Sequence, residues 1–549
     1  MDGPAPQPVG KPVCFDVDEL PKLEDEEFER DTSASNSEEA IIVAMLPDVL
    51  WLSDHIATML PTRPEIIRAA PVWAVLRGFA RPLRQQEGDF FELSRVTTRV
   101  QAFWSHSWHG STCMKIATVF LLNNATAAAV VSTASAFSAF FLVGLGVLPQ
   151  PSTQHCAWCI SSGVLTYVLT MLFWHPPRLV FVDRLCISQS DPVLKAEGLF
   201  SLGAILKNSD RMLVLWDRSW TQRLWCVFEL AAFLHSRAEG EKPHVTIRPT
   251  SLGFIMCALW LAIALGGLCF TLGLLMEVSF VPFALLIATG ACGAIFFYIV
   301  HLVREFCRDV NVMSGQLANF RFAEANSDCC SRDHKEPGSG KPMICDRAVM
   351  QRCIGKWFGS IGAFEQRVHG EVRDLLFDQL SHHVFSYGRL VEASPVLFWV
   401  YLDRAAVELW VGWQFGHSLH SYGVFNILYG LTYWLALCPI FFRILFHLAW
   451  MLQAERSCRL ADLFINLVLL LAGILPFSVL IFSQFFIFRP FGPILYSLIS
   501  FIVAALTWHC LPTVPRREGP AGQSTGLRPN TRASPPQGSE VTRAHTTSL

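Results

Sequence analysis

Short apolar runs and long ones divide this chain into two regimes. Leu179-Val-Phe-Val182 and Met212-Leu-Val-Leu-Trp216 are brief, continuous and closed off by polar loops, the signature of strands buried on both faces of a parallel sheet. Between them Leu199, Leu202, Ile205 and Leu206 recur at helical spacing as far as Asn208-Ser209, and Asp191-Pro192 supplies an N-cap and a first-turn proline. Strand, helix and strand make a βαβ unit. Val100-Gln-Ala-Phe-Trp104 reads as a further strand, ending in the polar loop Ser105-His-Ser-Trp-His-Gly110, and Val245-Thr-Ile-Arg248 as a fourth. After Trp216 a loop over 217–222 opens a helix with Leu224, Val227, Phe228, Ala231 and Leu234 on one apolar stripe and Glu229 at its margin. In a parallel sheet the loops at the strands' carboxyl ends gather where ligands bind.

The long runs predict eight membrane spans, at 125–148, 158–174, 252–275, 280–303, 395–413, 423–450, 463–488 and 493–511. Each approaches or exceeds what a hydrocarbon core of about 30 Å requires. The first two must form a hairpin that leaves and returns to one side, because the strands on either side of it share a sheet. The remaining segments fall into place around these. Residues 1–40 read as a disordered tail, 41–97 as short helices broken by Pro47, Pro61, Pro64 and Pro71, and 98–249 as the α/β domain with its inserted hairpin at 125–174. A second hairpin follows at 250–303, then a cytosolic helical linker at 304–393, a four-helix membrane region at 394–511 and a disordered tail at 512–549.

Composition agrees with the long runs. Hydrophobic residues make up 52% and charged residues 16% of the 549, a balance of polytopic membrane proteins rather than soluble ones. The net charge of −2 carries no basic signal for nucleic acid. Lys and Arg concentrate before the first span, between Arg178 and Arg248, between Arg304 and Arg404, at Arg456 and Arg459 and in the tail, while the opposite turns hold only Arg489. The α/β domain and both termini are therefore expected in the cytosol. Asn124-Ala-Thr126 matches a glycosylation sequon, but on the cytosolic end of the first span it is expected to go unused.

Three charges, Asp403, Arg404 and Glu408, fall within the fifth span, where each costs at least ~2.5 kcal/mol unless compensated. Arg404 and Glu408 are spaced to pair on one face, and Arg443 on the next span is another partner. They suit either an ion pathway or polar helix packing. The 17 cysteines form no secreted-type framework. Cys156 and Cys159 read as a structural pair. Cys329, Cys330, His334, Cys345 and Cys353 are zinc-ligand types, but no C-x2-C pair brackets them and no metal site is assigned.

The order strand, Ser105-His106, strand, Asp183, strand, then Trp225-Cys-Val-Phe-Glu-Leu230 resembles the TIR domain, whose third strand is followed by Trp-Cys, two variable residues and Glu-Leu. Val182-Asp-Arg-Leu-Cys-Ile-Ser-Gln189 is also similar to a motif of the heterokaryon-incompatibility domains. The resemblance covers roughly residues 98–249 and implies a partial flavodoxin-like (TIR-like) parallel sheet, here interrupted by a transmembrane hairpin, so that the fold class is α/β plus α-helical membrane. It implies a signalling module that self-associates or recruits partners at a lipid bilayer. The alternative that it implies is a TIR-type NAD hydrolase, with Glu229 as catalytic residue and Ser105, His106 and Asp183 as nucleotide contacts. A buried carboxylate would there stabilise an oxocarbenium-like centre when the nicotinamide–ribose bond breaks. A transporter or channel is a third expectation, from the intramembrane charges.

Overall fold

Among the described residues six strands form one mixed sheet: β1 (Arg68–Pro71), β2 (Arg95–Val96), β3 (Ala102–His106), β4 (Leu179–Phe181), β5 (Met212–Trp216) and β6 (Val245–Pro249), in the spatial order β2-β1-β4-β3-β5-β6. The computed structural model describes residues 46–84, 88–149, 156–237, 243–275, 281–335, 340–415, 420–456, 458–486 and 492–511. The expected disordered tails and most of the turns between expected spans lie outside the described residues. Strands β4, β3, β5 and β6 are parallel, as their apolar runs require. The sheet as a whole is not. β1 joins β4 antiparallel and β2 joins β1 antiparallel, so residues expected to be only short helices contribute two strands. Arg68-Ala-Ala-Pro71 has neither alternation nor β-branched residues, and Pro71, lacking an N–H, is tolerated at the strand's end.

The helices are α1 (Leu46–Ala57), α2 (Val72–Arg84), α3 (Thr112–Gly144), α4 (Trp158–Phe173), α5 (Pro192–Phe200), α6 (Leu202–Lys207), α7 (Leu224–His235), α8 (Leu252–Leu275) and α9 (Val281–Ala318). They continue as α10 (Asp346–Phe358), α11 (Ile361–Arg367), α12 (Arg373–His382), α13 (Tyr387–Ala393), α14 (Val396–Phe415), α15 (His420–Thr432), α16 (Cys438–Met451), α17 (Arg459–Phe486) and α18 (Gly492–Cys510). The crossover from β4 to β5 starts as its sequence demands, with the Asp191 carboxylate accepting from the backbone N–H of Val193 at 2.9 Å and of Leu194 at 3.1 Å. It breaks at Ser201 into α5 and α6.

The expected membrane hairpin does not interrupt the domain in the manner expected. It begins as the very helix that follows β3. The first part of α3 buries Val119, Phe120, Leu121 and Ala125 in the core shared with the sheet. Its continuation buries Ala128, Ala129, Ala136 and Ala139 among apolar helices. At 33 residues α3 is about 50 Å long. Where it leaves the sheet it crosses α8 with no room for a side chain: a Cβ on Gly253 would lie 2.1 Å from the backbone nitrogen of Thr118. The Thr118 hydroxyl donates to the Thr250 carbonyl at 2.7 Å and accepts from the Gly253 N–H at 2.8 Å. Asn124, the sequon residue, is buried and donates to the Met171 carbonyl at 2.8 Å, tying α3 to α4.

Among the described residues six helices are long and apolar enough to cross a membrane: Thr112–Gly144, Leu252–Thr271, Thr289–Ala318, Gly423–Met451, Arg459–Leu480 and Gly492–Cys510. The eight expected spans therefore reduce to six by this measure. α4 has only 16 residues, about 24 Å of helix. α14 carries the three charges noted above, and it packs against α3, α4 and α15. Parts of the expected linker at 304–393 pack on the domain, while α13 packs on α3, α8 and α16. α9 runs on to Ala318, α10 packs on both α1 and α7, and α12 lies against β6.

Candidate functional site at the carboxyl edge of the sheet

Parallel strands end in register here. Ser105 and His106 of β3 lie beside Val214 and Leu215 of β5, and Asp183 opens a single helical turn, Asp183–Cys186, after β4. Ser105 is 1% exposed, and its hydroxyl donates to Oε2 of Glu229 at 2.5 Å. The indole N–H of Trp220 in turn donates to the Ser105 hydroxyl oxygen at 3.0 Å. Glu229 thus reaches the strand ends from the margin of α7, where its spacing from Trp225 puts it. Glu229 is half-buried, and loss of water around its carboxyl pushes it up to about 8, against the lowering by the Ser105 hydrogen bond and with a smaller push from Asp183. At neutral pH this carboxyl is mostly protonated.

His106 is buried and its Nε2 has no hydrogen-bond partner. Burial holds its pKa below the ordinary histidine range, against an opposing pull from Asp183. Its ring meets the edge of Trp108 at 4.5 Å between centroids. Trp108 links the two halves of the site, because its indole N–H donates to Oδ2 of Asp183 at 3.1 Å while Arg184 lies over its ring. All four residues singled out from the sequence therefore converge on one edge. Ser105 and Glu229 touch, and Trp108 bridges His106 to Asp183.

Sequence reasoning missed the other half of the site. Asp217, just past the end of β5, accepts from the backbone N–H of Ser219 at 2.9 Å, and its Oδ2 is buried without a hydrogen-bond partner. A Cβ on Gly110 would meet that oxygen at 2.1 Å, so only glycine lets the loop after β3 close over it. Lys115 is buried beside them and donates to the Ser107 carbonyl. The Ser107 and Ser219 hydroxyls lie 2.8 Å apart. The signal was available as a carboxylate directly following a parallel strand, opposite a loop that ends in glycine. Phe228 is buried, whereas Trp225 is half-buried and donates its indole N–H to Oδ2 of Asp346 at 3.2 Å.

The charges on α14 do not make the expected Arg404–Glu408 pair. Asp403 accepts from the backbone N–H of Cys159 at 2.8 Å and of Ile160 at 2.9 Å, capping the start of α4. Arg404 lies over Phe270 and Tyr401 at 4.9 and 5.7 Å. Arg443 donates to the Leu511 carbonyl at 2.6 Å and covers Trp508.

No protein-family model matches the chain, and neither does a curated protein or a solved structure.

Proposed function

We propose that this chain is a multi-pass membrane signalling protein whose TIR-like domain lies with both termini in the cytosol and acts by self-association or by recruiting a partner. The observation that carries this reading is the continuity of α3, which starts just beyond the 105–110 loop and ends among the apolar helices. A tilt or rotation of α3 in the bilayer would move that loop directly, as helix shifts do in other switches. Strand order supports the likeness: counted among the parallel strands, β4-β3-β5-β6 is 2-1-3-4, the order in which flavodoxin-like sheets begin. The Lys and Arg distribution supports the orientation.

Two differently tagged full-length copies, co-expressed and extracted in mild detergent, test the reading. Capture of one copy by the other, unchanged in Glu229→Gln, is expected. A chain that stays monomeric both at high concentration and after cross-linking in native membranes, with no partner retained, overturns it. Orientation is tested with Ser152→Cys, at a position between α3 and α4 in the sequence. An impermeant thiol reagent should label it from outside, and labelling only after the cytosolic face is opened overturns the topology.

A second reading, NAD cleavage, is favoured by the convergence of Ser105, His106, Asp183 and Glu229 and by the unpartnered atoms of His106 and Asp217. In it Glu229 ionises when nucleotide binds and holds the ribose hydroxyls while positive charge develops. Detergent-purified wild type and Glu229→Gln are compared for NAD consumption with a clustering agent present. Equal rates, or none for either, leave the signalling reading standing. Transport draws less support, because Asp403 and Arg443 are held by backbone groups that belong to helix packing.

A further inference from the structure

The cysteines set aside in the sequence are brought together by the fold. Cys329 and Cys330 sit on one helical turn, Asp328–Ser331, and the chain then reverses through Asp333 and His334, whose φ angles are +51° and +56°. Two consecutive non-glycine residues in the left-handed region are uncommon, and something must hold them there. The His334 N–H donates to the Cys329 carbonyl at 2.9 Å, and the Met343 N–H to the His334 carbonyl at 2.8 Å, so the reversal delivers Cys345 from the other side. Cys345 lies at the N-cap of α10, where the helix dipole favours a thiolate.

Ligand atoms of Cys329, Cys330, His334 and Cys345 all lie within 4.8 Å of one another. Sulfur separations are 3.9 Å for Cys329 to Cys330 and 3.8 Å for Cys330 to Cys345. With Zn–S bonds of about 2.3 Å, the edge of a tetrahedron is about 3.8 Å. These separations are also far beyond the ~2.05 Å of a disulfide. The Nε2 of His334 is buried with no hydrogen-bond partner. A soft, three-sulfur, one-nitrogen set in tetrahedral spacing selects zinc over the harder divalent ions.

We propose that Cys329, Cys330, Cys345 and His334 hold a structural Zn2+ ion that fixes residues 326–335 and 340–346 against the start of α7. Cys353 is not a ligand, since its thiol lies on α10 at 3.4 Å from the Ser53 carbonyl. The cluster's flanks are what grip the motif helix. On one side Asn326 accepts from the Leu224 N–H at 3.0 Å and donates to the Gln222 carbonyl at 2.6 Å; on the other, Asp346 accepts from Trp225. Closing the four ligands around one ion locks both flanks, so zinc governs how firmly α7, and Glu229 with it, is seated at the strand ends. Binding releases the protons of the three thiols, so affinity should fall as pH is lowered.

The test is elemental analysis of full-length protein purified in detergent with reductant and no added metal. About one zinc per chain is expected, released by a mercurial thiol reagent, and replacement by Co2+ should give the absorption of a tetrahedral cobalt–thiolate site. Cys345→Ser should lose at least about 80% of the zinc, while Cys353→Ser should keep it. Should Cys345→Ser fail to accumulate, His334→Cys serves instead, because a four-cysteine site retains zinc and a merely packed loop gains none. Folded wild type without zinc, zinc retained in a Cys330→Ser/Cys345→Ser double variant, or a Cys330–Cys345 disulfide in the reduced preparation would overturn the assignment.

Discussion

The sheet domain and the apolar bundle solve burial in opposite ways. In the domain the strands are apolar inside, with Val214 and Ile247 fully buried, and polar groups collect at one edge. In the bundle the polar residues are the hidden ones: Thr432 donates to the Ser497 hydroxyl at 2.8 Å in the interior, while Leu475 and Phe464 of α17 are about two-thirds exposed. That inversion is what a hydrocarbon solvent selects, since lipid welcomes exposed leucine and polar side chains bind helices to one another. The difference teaches where each region keeps its strength. Packing holds the domain, and a few charge-assisted hydrogen bonds join it to the bundle.

Arg304 shows the second device at its fullest. It is completely buried on α9, pairs with Asp462 at 2.8 Å, and donates to Asn466 at 2.6 Å and to the Leu452 carbonyl at 3.0 Å. Arg304→Ala leaves these acceptors stranded and should cost about 3–5 kcal/mol. Phe228→Ala is the matching change in the domain. Its ring stacks on Trp357 with centroids 5.3 Å apart, and truncation should also cost about 3–5 kcal/mol. Thermal unfolding in detergent checks both. The comparison breaks if Arg304→Ala shifts the midpoint no more than Arg321→Ala, a change in an exposed ion pair.

What could be read in advance follows the same division. The β4-helix-β5 unit was legible because its signals are local: continuous apolar runs, and a cap at Asp191 that its neighbours alone satisfy. Glu229 was legible through its motif, and its contact with Ser105 follows once β3 and α7 meet. β1 and β2 were not, since Arg68-Ala-Ala-Pro71 becomes a strand only through its partner Leu179-Val180. Asp217 escaped because its importance depends on Gly110, more than a hundred residues earlier in the chain. The cysteines were legible as ligand types, but which four close together was not, because closure depends on a left-handed turn at Asp333 and His334 that no spacing rule announces. In the bundle hydropathy found the long helices but not what Asp403 does, which is set by the start of another helix.

Glu229 sharpens the comparison from the domain side, because its sign is unusual. The carboxyl rises from an ordinary 4.5 to about 8, so between those values the folded state keeps a proton that the unfolded chain has released. Stability therefore falls as pH rises from about 4.5 to about 8 and levels off above. His106, lowered by burial, works in the opposite sense, and its contribution, full above the unfolded value near 6.5, is lost as pH falls from there through the lower folded value. Glu229→Gln keeps an uncharged group of the same shape beside Ser105. It should flatten the alkaline side of the profile and stabilise the domain at pH 8 by on the order of 1–3 kcal/mol. Unfolding midpoints across pH 5–9 (roughly the span in which these groups titrate) measure this. A variant that is less stable than wild type at pH 8 would mean that the ionised carboxylate is the form the fold prefers.

Asp403 gives the smallest effect and separates packing from transport. The first turn of α4 has orphan N–H groups, and its own N-cap residue, Ala157, offers no side chain to satisfy them. Asp403 reaches across from α14 and takes two of them, so a carboxylate that looks misplaced in an apolar helix acts as the missing cap. Losing an N-cap costs about 0.5–2 kcal/mol, and Asp403→Ala should fall in that range. Asp403→Asn keeps an acceptor oxygen and should recover most of the loss. If instead the carboxylate served an ion pathway, Asp403→Asn would abolish flux in reconstituted vesicles while leaving stability untouched. Midpoints of thermal unfolding that fall for Ala and recover for Asn, with no flux in any of the three proteins, are the result that packing requires.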